Sequence, residues 1–132
     1  MNKIGTTVVQ SKRLIDLGLD KKSADMCHRV LPGYKDGMPD QYICLVHDIE
    51  WFNTDIPAWS LSALLELMPQ RIVGPFGELW HLGLEKDWDK VSYIVYYENK
   101  NSFVQRKAKD PIDACIEMID WLIKNGQKLL SK

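Results

Sequence analysis

Residues 78–126, Glu78-LWHLGLEKDWDKVSYIVYYENKNSFVQRKAKDPIDACIEMIDWLIKN-Gly126, read as three strands running directly into a helix. The start, apolar stripe and stop of that helix are all legible. Asp110 suits the cap and Pro111 the first helical position, and Asp113 sets a second carboxylate near the unpaired amides of the first turn. Ile112, Cys115, Ile116, Ile119, Leu122 and Ile123 recur at three- and four-residue spacing, whereas Glu117, Asp120 and Lys124 fall elsewhere. The stripe therefore needs a partner surface. Gly126 after Asn125 supplies a left-handed stop, and residues 127–132 read as a frayed tail.

That partner surface comes just before the helix. Leu79–Glu85, Val91–Glu98 and Ser102–Lys107 are rich in aliphatic, aromatic and β-branched residues. The polar links at 86–90 and 99–101 are short, so the three strands should form an antiparallel meander. In the middle strand Val91, Tyr93, Val95 and Tyr97 share one face, and Ser92, Ile94, Tyr96 and Glu98 share the other. One face should carry the helix. The other still holds Ile94 and Tyr96, so it is either covered by the N-terminal half or left as a contact surface.

Upstream the punctuation is clear but the periods are shorter. Thr7 suits the cap of a helix over Val8 to Leu17 ending at Gly18, and Asp20 the cap of a second short helix through Ser23 to Met26. Such a pair resembles a DNA-reading helix–turn–helix, but Lys12, Arg13, Lys21, Lys22 and Arg29 make only a modest basic cluster. Gly33, Asp36 and Gly37 mark a surface loop, Tyr42 to Val46 a short strand, and Ser60 the cap of a helix bearing Leu61, Leu64, Leu65 and Met68 before Pro69. Gly74, Pro75 and Gly77 then turn the chain into the meander.

The global numbers fit one domain. A chain of 132 residues with 45% hydrophobic and 27% charged residues can bury a core. A net charge of −1, from 17 basic and 18 acidic residues, supplies no field favouring nucleic acid or an anionic membrane. No apolar run approaches the roughly 20 residues of a membrane span, and no signal-peptide core opens the chain. Cys27, Cys44 and Cys115 are an odd set with Cys115 on the helical stripe, which argues against a disulfide scaffold while leaving a Cys27–Cys44 pair open. The expected compartment is the cytoplasm.

Chemical candidates are few. Cys27-His28 with Cys44-x-x-His47 contains zinc-ligand types, but adjacent residues do not readily converge and 44 and 47 on a strand face opposite ways, so no metal or cofactor is expected. A nucleophilic pair of Cys44 with His47 or His81 would need a proximity that spacing does not provide. His47, Asp48, Glu50 and Asp55 gather carboxylates and an imidazole beside Trp51 and Phe52, an acid–base or ion-binding candidate whose ordinary reading is a solvated acidic loop; Glu78, His81 and Glu85 could join it if the first meander strand lies alongside. Five tryptophans are many for this length. Trp88, at a predicted hairpin tip between Asp87 and Asp89, either folds back on its sheet or meets a partner, and Trp88, Tyr96 and Trp51 are the contact candidates.

The segments Ser11-Lys12-Arg13-Leu14-Ile15-Asp16-Leu17-Gly18-Leu19, Ser23-Ala24-Asp25-Met26, Ile56-Pro57-Ala58-Trp59-Ser60-Leu61, Pro111-Ile112-Asp113-Ala114 and Trp121-Leu122 span most of the chain. Together they resemble a group of small uncharacterised bacterial proteins found in prophage-like or mobile regions. The resemblance implies an accessory protein and carries no catalytic residues across. The expectation is a single α+β domain, a mostly antiparallel sheet covered by two or three helices, acting as a non-catalytic interaction protein toward a protein partner or itself. A small hydrolase or metal-dependent enzyme built on residues 47–55 is the alternative, and nucleic-acid binding by the N-terminal helices the third.

Overall fold

A helix buried on almost every side organises the protein. The computed structural model describes residues 4–29, 42–43 and 55–130. In chain order these form α1 (Val8–Asp16), a single 3-10 turn (Lys21–Ser23), β1 (Met26–His28), β2 (Tyr42–Ile43), β3 (Ile56–Ala58), α2 (Leu61–Leu67), β4 (Arg71–Val73), β5 (Leu79–Lys86), β6 (Tyr93–Glu98), β7 (Phe103–Ala108) and α3 (Pro111–Lys124). The α+β class holds, with two antiparallel sheets ordered β2-β1-β3 and β4-β5-β6-β7.

The start of α3 is as the sequence indicates: Asp110 accepts from the Ile112 amide at 2.8 Å, Pro111 opens the first turn, and Gly126 follows with φ +74°. Its surroundings differ from a one-sided stripe. Nine of its fourteen residues are buried, including Ala114, Met118 and Asp120 outside the stripe. The helix lies against β6 and β7 on one side and α2 on another, while α1 is tied to it by side-chain bonds. One contiguous core results, running from Leu14 and Trp59 through Leu64, Met68 and Ile72 to Val95, Tyr97 and α3.

Ion pairs account for the polar part of that burial. Arg13 of α1 donates to Glu117 at 2.6 Å and to Asp120 at 2.6 Å, and Lys124 lies 3.0 Å from the other Asp120 oxygen. Burial pushes the Asp120 carboxyl up, but Lys124 and Arg13 outweigh it and hold the group below the usual carboxylate range. Gln10 completes a capping box with Thr7 and also donates to Asp113 at 2.6 Å, so the first turns of α1 and α3 are joined.

Several expectations are corrected. The second N-terminal helix does not form: Asp20 caps only the 3-10 turn through the Lys22 amide, and Met26–His28 then pairs as β1 between β2 and β3. The helix–turn–helix pair on which DNA reading depended is therefore absent. Asp25, expected inside that helix, accepts from both the amide and the hydroxyl of Ser60, the cap of α2. The large sheet has a fourth strand, β4, paired with β5. The tail is docked to the described residue Leu130, with the Leu130 amide bonded to the Leu67 carbonyl at 2.8 Å and Leu129 packed against the core. Cys27 is buried in β1, and Cys44, named as its possible disulfide partner, lies outside the described residues. Among the described residues no helix is long and apolar enough to cross a membrane.

Candidate interaction surface

Alternation along the large sheet sends Val95 and Tyr97 toward α3 and sends Ile94 and Tyr96 the other way. Registers across the sheet place Glu85, Ile94 and Lys107 in one row of that outer face. Gly83, Tyr96 and Gln105 form the next, and Arg71, His81, Glu98 and Phe103 the third. Apart from α3, which lies on the inner face, no described element makes extensive contact with β5, β6 or β7 beyond the sheet's own strands. Phe103 is 63% exposed, and the paired Val73 and Leu79 are 55% and 49% exposed at the same end.

Tyr96 shapes the middle of this face. A Cβ placed on Gly83 would lie 2.2 Å from the Tyr96 Cζ and 2.4 Å from its hydroxyl oxygen, so the ring end rests on the bare glycine backbone of β5. Beside it opens a cleft of about 250 Å³ lined by Glu85, Ile94, Tyr96, Glu98, Phe103 and Gln105. Burial raises the Tyr96 phenol above its ordinary value, and the negative charges of Glu85 and Glu98 add to the rise.

Trp88 sits at the β5–β6 tip, 96% exposed, with Val91 61% exposed beside it. The backbone under it is pinned. The Asp87 amide donates to the Ser92 carbonyl at 2.8 Å, and the Lys90 amide to the Asp87 carbonyl at 2.9 Å with Lys90 at φ 62°. Asp89 accepts from the amides of Val91 and Ser92 and from the Ser92 hydroxyl, and Lys107 reaches Asp87 at 2.5 Å and Asp89 at 3.3 Å. The Val91 and Ser92 bonds hold the Asp89 carboxyl well below the usual carboxylate range; Lys107, followed by the Trp88 amide, lowers Asp87. Of the two readings of Trp88, folding back is excluded and presentation to solvent is what the structure shows.

The acid–base candidates are not gathered into a site among the described residues. Asp55 has a fully buried side chain and holds Arg29 in a two-pronged pair, Nε to Oδ1 at 2.9 Å and Nη2 to Oδ2 at 2.7 Å. That geometry makes it a structural anchor. His47, Asp48, Glu50, Trp51 and Cys44 lie outside the described residues. Glu78 is occupied in the β4–β5 turn, accepting from the Phe76 amide and from the Trp80 indole, and Glu85 stands at the far end of β5 from it. His28, proposed with Cys27 as a zinc ligand type, is buried with Nε2 2.7 Å from the Thr6 carbonyl, so that nitrogen carries the proton and donates. Burial pushes the Cys115 thiol up to about 12, which keeps it protonated and inert. No three His, Cys, Asp or Glu side chains among the described residues converge as metal ligands would.

What sequence reasoning missed is the company Tyr96 keeps. Glu98 was on its face by alternation, but Glu85, Gly83 and Phe103 join it only through pairing registers, which depend on the exact turn lengths. No family model, no curated protein and no solved structure matches this chain.

Proposed function

We propose that the protein is a non-catalytic accessory protein that binds another protein through the outer face of its four-stranded sheet, with Trp88 at the rim. One observation carries the reading. The sheet has α3 on its inner face, whereas its outer face holds Tyr96, Phe103, Val73 and Leu79 without extensive contact from any described element. Exposed apolar surface of this kind marks contact sites, and tryptophan and tyrosine are the residues that most often dominate binding energy there. A rigid tip beneath Trp88 lowers the ordering cost of using it. The inert thiol of Cys115 is in keeping with a reducing compartment, the cytoplasm, and the resemblance to accessory proteins of mobile bacterial regions points the same way.

The test places a photo-crosslinking phenylalanine analogue at position 103 or 88 in the cells that produce the protein, with position 16 on exposed α1 as control. The expected result is one discrete adduct, identified by mass spectrometry, at 103 and 88 and none at 16. An adduct composed of two copies of this chain would turn the reading into self-association. Absence of adducts at both 103 and 88 would end it.

A further inference from the structure

The outer face is apolar at one end and carries two carboxylates along its centre, Glu85 in the row of Lys107 and Glu98 in the row of Arg71. Glu85 and Glu98 stand on either side of Tyr96, one opposite Ile94 and one two residues along β6, and both are exposed. Among the described residues neither is joined to a cation by an ion pair, whereas the nearby carboxylates Asp87 and Asp89 are both taken by Lys107. Between Glu85 and Glu98 lie the Tyr96 ring, Ile94 and Phe103, with the Gln105 amide in the cleft wall. Tyr96 is held over Gly83 by the lack of any side chain there, so it leans toward β5 and the space over β6 and β7 stays open.

This combination has a chemical complement. An arginine or lysine side chain has an apolar stem and a charged head. The stem suits aromatic and aliphatic walls, and the head suits carboxylates and the electron-rich face of a tyrosine. An acidic ligand would meet repulsion from two glutamates, and a neutral or purely apolar one would leave their charges unpaired. We propose that the cleft between Tyr96 and Phe103, with Glu85 and Glu98 at its ends, is the seat for a basic side chain of a protein partner, arginine above all because its planar head can stack on Tyr96 and bond a carboxylate together. This inference rests on the outer-face reading above and names the chemistry of the partner.

The probe is the peptide Gly-Arg-Gly-Arg-Gly, added to the isotope-labelled full chain and followed by amide NMR at low salt, beside the same peptide with citrulline for arginine. Saturable shifts confined to Glu85, Ile94, Tyr96, Glu98, Phe103 and Gln105 are expected, absent with the citrulline peptide. The doubly neutralised variant Glu85→Gln/Glu98→Gln, which keeps shape at two exposed positions, should weaken binding about tenfold or more, and Tyr96→Leu by a smaller factor. Asp16→Asn, an exposed charge on α1, should leave it unchanged. The proposal is overturned if the peptide gives no saturable shifts, if the shifts fall elsewhere, or if Asp16→Asn weakens binding as much as the double variant. Crosslinks at 103 without peptide binding would remove the basic partner and keep the contact face; loss of the crosslinks would remove both.

Discussion

Gly83 and Tyr96 show how one missing side chain shapes a surface. Gly83→Ala would set a methyl where the ring end lies, 2.2 Å from Cζ, and the ring, being the far end of a rotatable side chain, must swing outward. The strand itself gains from alanine, so stability should change by no more than about 1 kcal/mol in urea melts. The phenol is the sensitive readout: freed from part of its burial, its ionisation should fall back toward the ordinary tyrosine value of 10.0, measured by NMR of the Tyr96 ring across alkaline pH. An unchanged titration would mean the glycine does not set the ring. Cys115 gives a second residue-scale outcome. With its thiol raised to about 12 by burial, it should resist alkylation at pH 8 in the folded protein and react promptly in denaturant, as read by peptide mass mapping.

At the scale of elements, legibility followed length. The strands β5, β6 and β7 and the helices α1, α2 and α3 each carry enough residues to display a period, and their caps, Thr7, Ser60 and Asp110, are in place. The three-residue strands β1, β3 and β4 cannot show alternation, and what makes them strands is pairing with distant segments. Pro57, which has no amide to donate to a neighbour, is tolerated in β3 because β3 is an edge strand. Likewise the Asp20 capping signal was real but short, since the chain after one turn is claimed by Asp25 binding Ser60. The proposed contact face was half legible: Tyr96, Glu98 and Trp88 by alternation and turn chemistry, Glu85 and Phe103 only by register. The buried character of α3 sets its sensitivity. Ile119→Ala should cost about 2–5 kcal/mol by chemical denaturation, because the site is enclosed by sheet and helices and cannot collapse. The α1–α3 ion pairs should matter less, since the Arg13 side chain is 40% exposed: Arg13→Gln should cost roughly 0.5–1 kcal/mol at neutral pH. Its pH dependence has a definite sign. Asp120 has a folded value below its ordinary 3.8, so its contribution is present above that value and is lost as pH falls through the folded one. Asp120→Asn should therefore flatten the fall in stability between about pH 5 and pH 3, and a variant with the wild-type slope would remove the pair from the acid response.

For the whole molecule the decisive feature is that one core joins the three helices to the large sheet, from Leu14 and Trp59 in the N-terminal half through α2 and α3 to β4 and β6. A single contiguous core of this size should unfold in one cooperative step. The C-terminal segment belongs to that unit. Residues 127–130 have no helical or strand period, and their polar start reads as a fraying end, yet the Gln127 amide returns to the Leu122 carbonyl at 2.9 Å and the Leu130 amide to the Leu67 carbonyl at 2.8 Å. Between these two bonds Leu129 packs on the core, and with Leu130 it lines a hollow shared with Leu19 and Leu67. The segment therefore straps α2 to α3 from outside the helices. Leu129→Ala should lower stability by about 1–2 kcal/mol, the loss expected for a partly buried leucine, where a frayed tail would show none. Two probes separate the cases. Trp59, fully buried with its indole donating to Ser23, reports the N-terminal half, while far-ultraviolet dichroism reports all helices. Because Trp51, Trp80, Trp88 and Trp121 would mix into bulk fluorescence, Trp59 is followed by its own fluorine resonance after 5-fluorotryptophan labelling. If the strap is part of the cooperative unit, Leu129→Ala moves both transitions together to lower urea; if only the end of α3 loosens, dichroism shifts alone and the Trp59 transition stays where it was.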